Sequence, residues 1–284
     1  MIFNSVNEAF LYQLKQLRVA PESKPRGKRI KERLGVSFTI SNPRDRITNN
    51  SVRRMSLAFA FGEFLWYIRG SNQLDIMEYY SKLYPDFSDD KVTVYGAYGA
   101  RMFGEKNSQW NEIRKKLMKD ADSRQAVIAI YQPQDLFSVS LDIPCTCVLQ
   151  YFIREGKLHS VTYMRSNDIY LGMPYDIFSF TMLQEMLSIE CGVQLGSYTH
   201  MVGSLHIYEK NFNIFNALDE GVSHIDQVMT NMTKEAISSD QMSLVLQVEQ
   251  ALRKNECTGN MMLVNSYWNR FLEVLQDKNR QTYG

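Results

Sequence analysis

The chain has 284 residues, 44% hydrophobic and 22% charged, with a formal net charge of +1. That balance excludes a disordered chain, and it supplies neither a global basic field for nucleic acid nor an acidic one for cations. The cysteines, Cys145, Cys147, Cys191 and Cys257, are spaced neither as a zinc ribbon nor as a small disulfide scaffold, so no metal is expected. The N-terminus lacks a signal-like apolar run, and no stretch of about 18 apolar residues offers a membrane helix. A cytoplasmic protein without membrane or nucleic-acid partners is the expectation.

In chain order, residues 5 to 18 predict an amphipathic helix, and "PESKPRGKRIKERLG" (21 to 35) a basic loop punctuated by Pro and Gly. "VSFTI" (36 to 40) alternates as a strand. "VRRMSLAFAFGEFLWYIRG" (52 to 70) predicts a long apolar helix stopped by Gly70, with Glu63 as the one acid on a nearly all-apolar face. Residues 71 to 108 read as irregular, and 110 to 123 as a helix ending near Asp120. Strands are expected at 125–131, 147–153 and 158–164, the last two forming a hairpin through "REGK". A helix over 178–192 places Phe178, Met182, Met186 and Ile189 on one side. A strand leading into a helix follows over 198–212, then a polar-amphipathic helical region over 225–284. The pattern predicts an α+β fold with one central sheet, read as a single domain over 1–284 with 225–284 as a helical C-terminal extension.

Several residues could carry chemistry. Cys145 follows a proline at a strand start in "LDIPCTC", where a neighbouring cation could activate it; alone it also fits a structural cysteine. Cys147 is expected to face the opposite side. In "MRSND", Arg165 and Ser166 offer a guanidinium fork and a hydroxyl to a phosphate or carboxylate. In "GSLHIY", His206 and Tyr208 stand two apart on a strand and share a face, suited to a sugar hydroxyl or to satisfying each other in a core. Asp168 and Asp176 lie in the apolar stretch "SNDIYLGMPYDIF", where an ionised carboxylate is expensive unless paired; "MPYD" also reads as a solvated turn. Arg26 and Arg124 are individually uninformative. A Gly-rich phosphate loop, a Ser-His-Asp order and a His-Glu-x-x-His motif are all missing.

Taken in order, "PRG", "GEFLWYIRGSN", "VYGAYGARM", "DADSRQ", "IPCTCVLQYFIREGKL", "YMRSNDIYLGMPYDI" and "GSLHIYEKN", from about residue 22 to 213, resemble the thymidylate synthase superfamily. The resemblance implies its sheet-backed α+β fold and methylenetetrahydrofolate as cosubstrate. It implies that Cys145 adds to C6 of a pyrimidine nucleotide, that Glu63 organises water and proton transfer, and that Tyr95 assists proton removal from C5. Arg26, Arg165 and Ser166 match phosphate ligands. Arg124 matches an arginine reaching the phosphate of a neighbouring subunit, which implies a homodimer. His206 and Tyr208 match the pair holding the 3′-hydroxyl, and Asp168 an aspartate facing the folate ring.

The departures sharpen the expectation. Methylating members carry Asn where this chain has Asp176; an amide suits O4 and N3–H of uracil, whereas a carboxyl accepts from N4 of cytosine. With "CTCVLQY", "MRSND" and "GSLH", the exchange resembles the cytidylate 5-hydroxymethylase branch, in which an exocyclic methylene is hydrated rather than reduced. No Trp lies between Trp66 and Trp110, and the chain ends "DKNRQTYG" without a short apolar tail, both consistent with water as terminal reagent. Gln125 stands where synthases have a second phosphate-binding Arg. The expectation is conversion of CMP or dCMP to its 5-hydroxymethyl derivative. The rivals are a synthase methylating deoxyuridylate and a non-catalytic nucleotide- or RNA-binding relative.

Overall fold

The computed structural model describes residues 1–104, 108–219, 221–256 and 263–283. Cys257 and parts of the stretches read at 71–108 and 225–284 therefore lie outside the described residues. The elements are β1 (Ile2–Phe3), α1 (Val6–Arg18), β2 (Glu22–Ser23), β3 (Ile30–Ile40), α2 (Leu57–Ile68), α3 (Leu74–Tyr80), α4 (Tyr98–Phe103) and α5 (Gln109–Lys119). They continue with β4 (Val127–Ala129), β5 (Thr146–Arg154), β6 (Lys157–Asp168), α6 (Met173–Glu190), β7 (Gln194–Tyr208), α7 (Ile214–Ala217), α8 (Ser239–Arg253) and α9 (Asn269–Tyr283). The architecture is α+β. Packing divides the chain into two units: Met1–Met55, Lys115–Tyr131 and Cys145–Met229 in the first; Ser56–Arg114, Gln132–Pro144 and Thr230–Gly284 in the second.

The first unit holds a seven-stranded mixed sheet in the order β1-β3-β7-β6-β5-β4, with β2 paired to β3. β6 and β7 run parallel, whereas β3–β7, β5–β6 and β4–β5 are antiparallel. The β5–β6 hairpin turns on Glu155 and Gly156, both at positive φ (52° and 69°), the twist that a two-residue hairpin demands. Strand alternation then decides the faces. Leu158, Ser160, Thr162 and Met164 of β6 are buried, whereas Val161 is partly exposed and Tyr163 exposed. α6 packs on β6 and β7, and α1 on β3. α1 starts where Ser5 accepts from the Glu8 amide at 3.2 Å, an N-cap satisfying one orphan donor.

In the second unit the apolar α2 lies against α9, Phe61 stacking on Phe271 at 3.8 Å between ring centroids. Trp268 is fully buried and donates its indole N–H to the Ala236 carbonyl at 2.9 Å. Glu249 of α8 is buried among Arg69 (2.8 Å), Arg253 (2.9 Å) and the Tyr80 hydroxyl (2.8 Å).

Several boundaries differ from the sequence reading. Within 21–35, β3 already begins at Ile30, because Ile30–Leu34 find a ladder partner in β7 that no local pattern announces. The α2 helix begins at Leu57 rather than 52, because Ser56 caps it, accepting from the Phe59 amide at 3.3 Å. Residues 71–108 contain α3 and α4, too short to leave a periodic signature. The 125–131 strand shrinks to Val127–Ala129. α6 starts at Met173, with Pro174 in its first turn, and buries nearly its whole circumference rather than one side. Helix resumes after residue 225 only at Ser239.

Candidate active site

One end of the sheet collects most of the sequence-selected residues. β6 ends at Asp168 beside His206, and Ser166 pairs with Ser204 on the same parallel ladder. β3 begins there, Ile30 opposite Tyr208, and β5 begins one residue after Cys145. The Arg165 amide donates to the Cys145 carbonyl at 2.8 Å, tying the thiol-bearing segment to β6. The Tyr208 hydroxyl registers the assembly: burial, then Asp168 and Cys145, push its pKa up, while Arg26 pulls it down. The His206 and Tyr208 rings meet edge-on at 5.1 Å and 86°. His206 Nδ1 lies 3.3 Å from the Ser204 carbonyl, which can only accept, so Nδ1 carries a hydrogen.

Cys145 and Cys147 stand two apart, a spacing that in an unbroken strand keeps side chains on one face. The expected opposite orientation of Cys147 does not follow from spacing. β5–β6 pairing slips between Thr146 and Val148, so strict alternation does not run through Cys147. Burial raises the Cys147 thiol above its ordinary range, with the Arg165 backbone and charge acting against the rise.

Asp168 Oδ1 accepts the amides of Tyr170 and Leu171, each at 2.7 Å, and so builds the turn into α6. Its Oδ2 is buried with no hydrogen-bond partner among the described residues. Burial raises the Asp168 pKa, opposed by the Leu171 amide and by His206. An unspent buried acceptor is costly unless a donor meets it.

Asp176 is not in a solvated turn. It sits in the first turn of α6 and is 9% exposed. Oδ2 accepts from Asn167 Nδ2 at 2.8 Å. Gly172 makes the contact possible, since a Cβ there would stand 3.2 Å from both atoms. Burial pushes the Asp176 pKa to about 7, with the Asn167 bond acting in the other direction. Behind Asn167, His200 Nε2 meets its Oδ1 at 2.9 Å, and the Tyr198 hydroxyl meets His200 Nδ1 at 2.8 Å. None of these three supporting residues is legible in the sequence as part of a site. The only sign is polar residues at positions that become core.

The arginines differ in setting. Arg26 is exposed at the tip of a tight turn, at φ 51°, a left-handed strain tolerated beside Gly27. Arg124 is exposed just before β4, its carbonyl accepting from Gln150 at 2.9 Å. Gln125, exposed beside it, accepts from Lys116 at 3.4 Å.

Glu63 and Tyr95 belong to the second unit. Glu63 is 7% exposed, and Oε1 accepts from the Tyr84 hydroxyl at 2.9 Å. Burial, then Glu63, then Asp142, raise the Tyr84 pKa well above its ordinary value. Asp142 Oδ2 in turn accepts from the Gly96 amide at 2.9 Å, next to Tyr95. The Tyr95 ring is under the Arg101 guanidinium at 5.2 Å, and its hydroxyl is hydrogen-bonded to Asp135. Asp135 is itself gripped by Arg101 at 2.6 and 3.0 Å. Burial acts to raise its carboxyl, but Arg101, the Gln132 amide and Tyr95 together hold it below the ordinary range. Tyr84, Arg101 and Asp135 were not singled out by the sequence, since each reads as an ordinary surface or turn residue. Among the described residues no group of three or more His, Cys, Asp or Glu is placed to hold a metal ion. No helix of the structure is long and apolar enough to cross a membrane.

One end of a mixed sheet thus gathers a thiol, an arginine-bearing turn, a His–Tyr pair and carboxyls withdrawn from water, a candidate active site on an α+β fold. The thymidylate synthase family model matches residues 21–268, and the chain belongs to that family, whose cosubstrate is methylenetetrahydrofolate. The match extends past residue 213, where the recognisable motifs stop, into the helices of the second unit. The deoxyuridylate hydroxymethyltransferase of Bacillus phage SP01 is 29% identical over 276 residues, covering 91% of this chain and 70% of that protein.

Proposed function

We propose that the protein is a folate-dependent hydroxymethyltransferase acting on cytidine 5′-monophosphate, ribo or deoxy. The observation that carries the base assignment is Asp176. A buried carboxyl with a pKa near 7 is expensive at neutral pH, and the amide of Asn, the residue that the resemblance gives methylating members, would avoid that cost. Retaining a carboxyl here makes sense where the ligand offers an N4–H donor and an N3 acceptor: the carboxyl accepts from the first and, protonated, donates to the second.

In this reading Cys145 adds to C6 and turns C5 into a nucleophile toward the one-carbon unit of methylenetetrahydrofolate. Glu63 handles protons at the base and Tyr95 takes the C5 proton. Water then adds to the exocyclic methylene, and Cys145 leaves. Arg26, Arg165 and Ser166 bind the phosphate, His206 and Tyr208 the sugar, and Asp168 Oδ2 the folate ring. The hydroxymethyl outcome is favoured by the name of the phage relative and by the missing tryptophan between Trp66 and Trp110. That same name favours a second reading, deoxyuridylate as substrate, because a protonated Asp176 would also match O4 and N3–H.

The test is to incubate the protein with CMP, dCMP, UMP and dUMP plus methylenetetrahydrofolate and to weigh the products. A gain of one hydroxymethyl group on cytidylate is expected. Turnover of deoxyuridylate alone would replace the base assignment, and a methyl product would replace the hydroxymethyl one. A homodimer sharing Arg124 across subunits is part of the proposal, supported by the exposed sheet face with Val127, Tyr163 and Met201. Mixed Arg124→Ala and Cys145→Ala subunits should recover activity; heterodimers that stay inactive would end the idea of a shared site.

A further inference from the structure

Tyr198 and His200 are fully buried and Asn167 is 4% exposed, yet each polar side chain of this group is engaged. The bonds are Tyr198 to His200 Nδ1 (2.8 Å), His200 Nε2 to Asn167 Oδ1 (2.9 Å) and Asn167 Nδ2 to Asp176 Oδ2 (2.8 Å). Burial holds the His200 pKa down to about 3, so the ring is neutral and carries a single N–H. The directions then follow from one another. With the Asn167 amide nitrogen on Asp176, its oxygen faces His200 and requires the hydrogen on Nε2. Nδ1 is then bare and accepts from the Tyr198 hydroxyl.

We infer that Tyr198, His200 and Asn167 are positioning residues forming a one-way hydrogen-bond relay that keeps Asp176 Oδ2 an acceptor, so that the carboxyl carries its proton on Oδ1 and presents one fixed donor–acceptor pattern to the base edge. This rests on the reading that Asp176 contacts the base. A symmetric, freely turning carboxyl would present either oxygen and either protonation pattern to the ring. Committing Oδ2 as an acceptor removes that freedom: the proton sits on Oδ1, facing N3 of cytosine, and the second lone pair of Oδ2 is left for N4–H, a pattern that uracil mismatches at both positions. The relay also reaches the core face of β7, which explains why a histidine and a tyrosine are spent at positions flanked by Phe38, Val202 and Met164.

The experiment compares His200→Phe, His200→Gln, Tyr198→Phe, Asn167→Leu and Asp176→Asn. The readouts are kcat/KM for cytidylate against uridylate and the titration of the Asp176 carboxyl carbon by NMR in the folded protein without substrate. Asn167→Leu removes the bond that favours the carboxylate, so the Asp176 titration should move up by about one to two pH units. His200→Phe should lower the cytosine-to-uracil ratio by about tenfold, because the Asn167 oxygen loses its donor and the amide is freed to turn over. His200→Gln restores a donor and should recover most of the ratio. Tyr198→Phe keeps the volume and should give a smaller change in the same direction. A ratio that Asp176→Asn alters but His200→Phe does not would overturn the relay and leave the base reading standing. A ratio that Asp176→Asn does not alter would overturn the base reading; the titration then decides the relay alone, and an unmoved Asp176 in folded Asn167→Leu overturns it.

Discussion

Two buried acids, one in each unit, receive opposite treatment. Glu249 accepts from Arg69, Arg253 and the Tyr80 hydroxyl, so its charge is matched by two guanidinium groups. Asp176 accepts from one neutral amide, Asn167, and burial drives its pKa up to about 7. The first arrangement is complete without a ligand and binds α8 to the end of α2. The second is incomplete among the described residues: half of its acceptor capacity and its neutralising proton are unassigned. A matched buried charge speaks for architecture, whereas an unmatched one held at the edge of ionisation speaks for chemistry.

That contrast breaks first at Cys145. If the end of the sheet near Asp176 is where bonds form, Cys145→Ala should cut turnover by a factor on the order of 10⁴ or more. Nucleotide binding, followed by calorimetry, should survive because the phosphate and sugar contacts remain. Cys147→Ala should stay active. A dead Cys147→Ala beside an active Cys145→Ala would move the nucleophile two residues along and undo the assignment.

The next effect separates the two acids by stability. Glu249→Gln strands Arg69 and Arg253 around a neutral amide and should cost about 3–5 kcal/mol in chemical denaturation. Asp176→Asn should do the reverse, with a pH dependence whose sign is fixed. Asp176 binds its proton more tightly folded than unfolded, so the folded state loses ground as pH rises from about 4, the unfolded value, to about 7. The variant should therefore match the parent near pH 4 and exceed it by about 2–4 kcal/mol above pH 7. A parent as stable as the variant at pH 8 would mean that the Asp176 charge is matched after all.

The smaller effect concerns selection. Asp176→Asn should admit uridylate and weaken cytidylate, changing the ratio of kcat/KM values by about 30- to 1000-fold, or about 2–4 kcal/mol. Asp168→Asn should leave that ratio alone and raise KM for the folate. The product of the Asp176 variant should still be hydroxymethylated. An unchanged ratio in a folded Asp176→Asn would reduce Asp176 to a structural acid and erase the contrast with Glu249.

The α+β class, the β5–β6 hairpin, α1 and the apolar α2 were legible locally, because periodicity, capping residues and turn glycines act over a few residues. Blocks such as "IPCTC", "MRSND" and "GSLHIY" also identified Cys145, Arg165, Ser166, Asp168, His206 and Tyr208 as candidates, since reactive side chains keep their spacing along a strand. What the residues alone could not decide was the state of each group. "MPYD" is consistent with a turn, and only the packing of α6 on β6 and β7 buries Asp176 and shifts its titration. His200 and Asn167 are 33 residues apart in sequence and 2.9 Å apart in space. Likewise Tyr84, which donates to Glu63, is brought to it by a segment that carries no periodic signal. The sequence by itself determined which side chains exist and, in the longer periodic elements, which strand or helix carries them. The tertiary structure decided which became dry and which met a partner, because desolvation and hydrogen bonding depend on neighbours that arrive from distant parts of the chain.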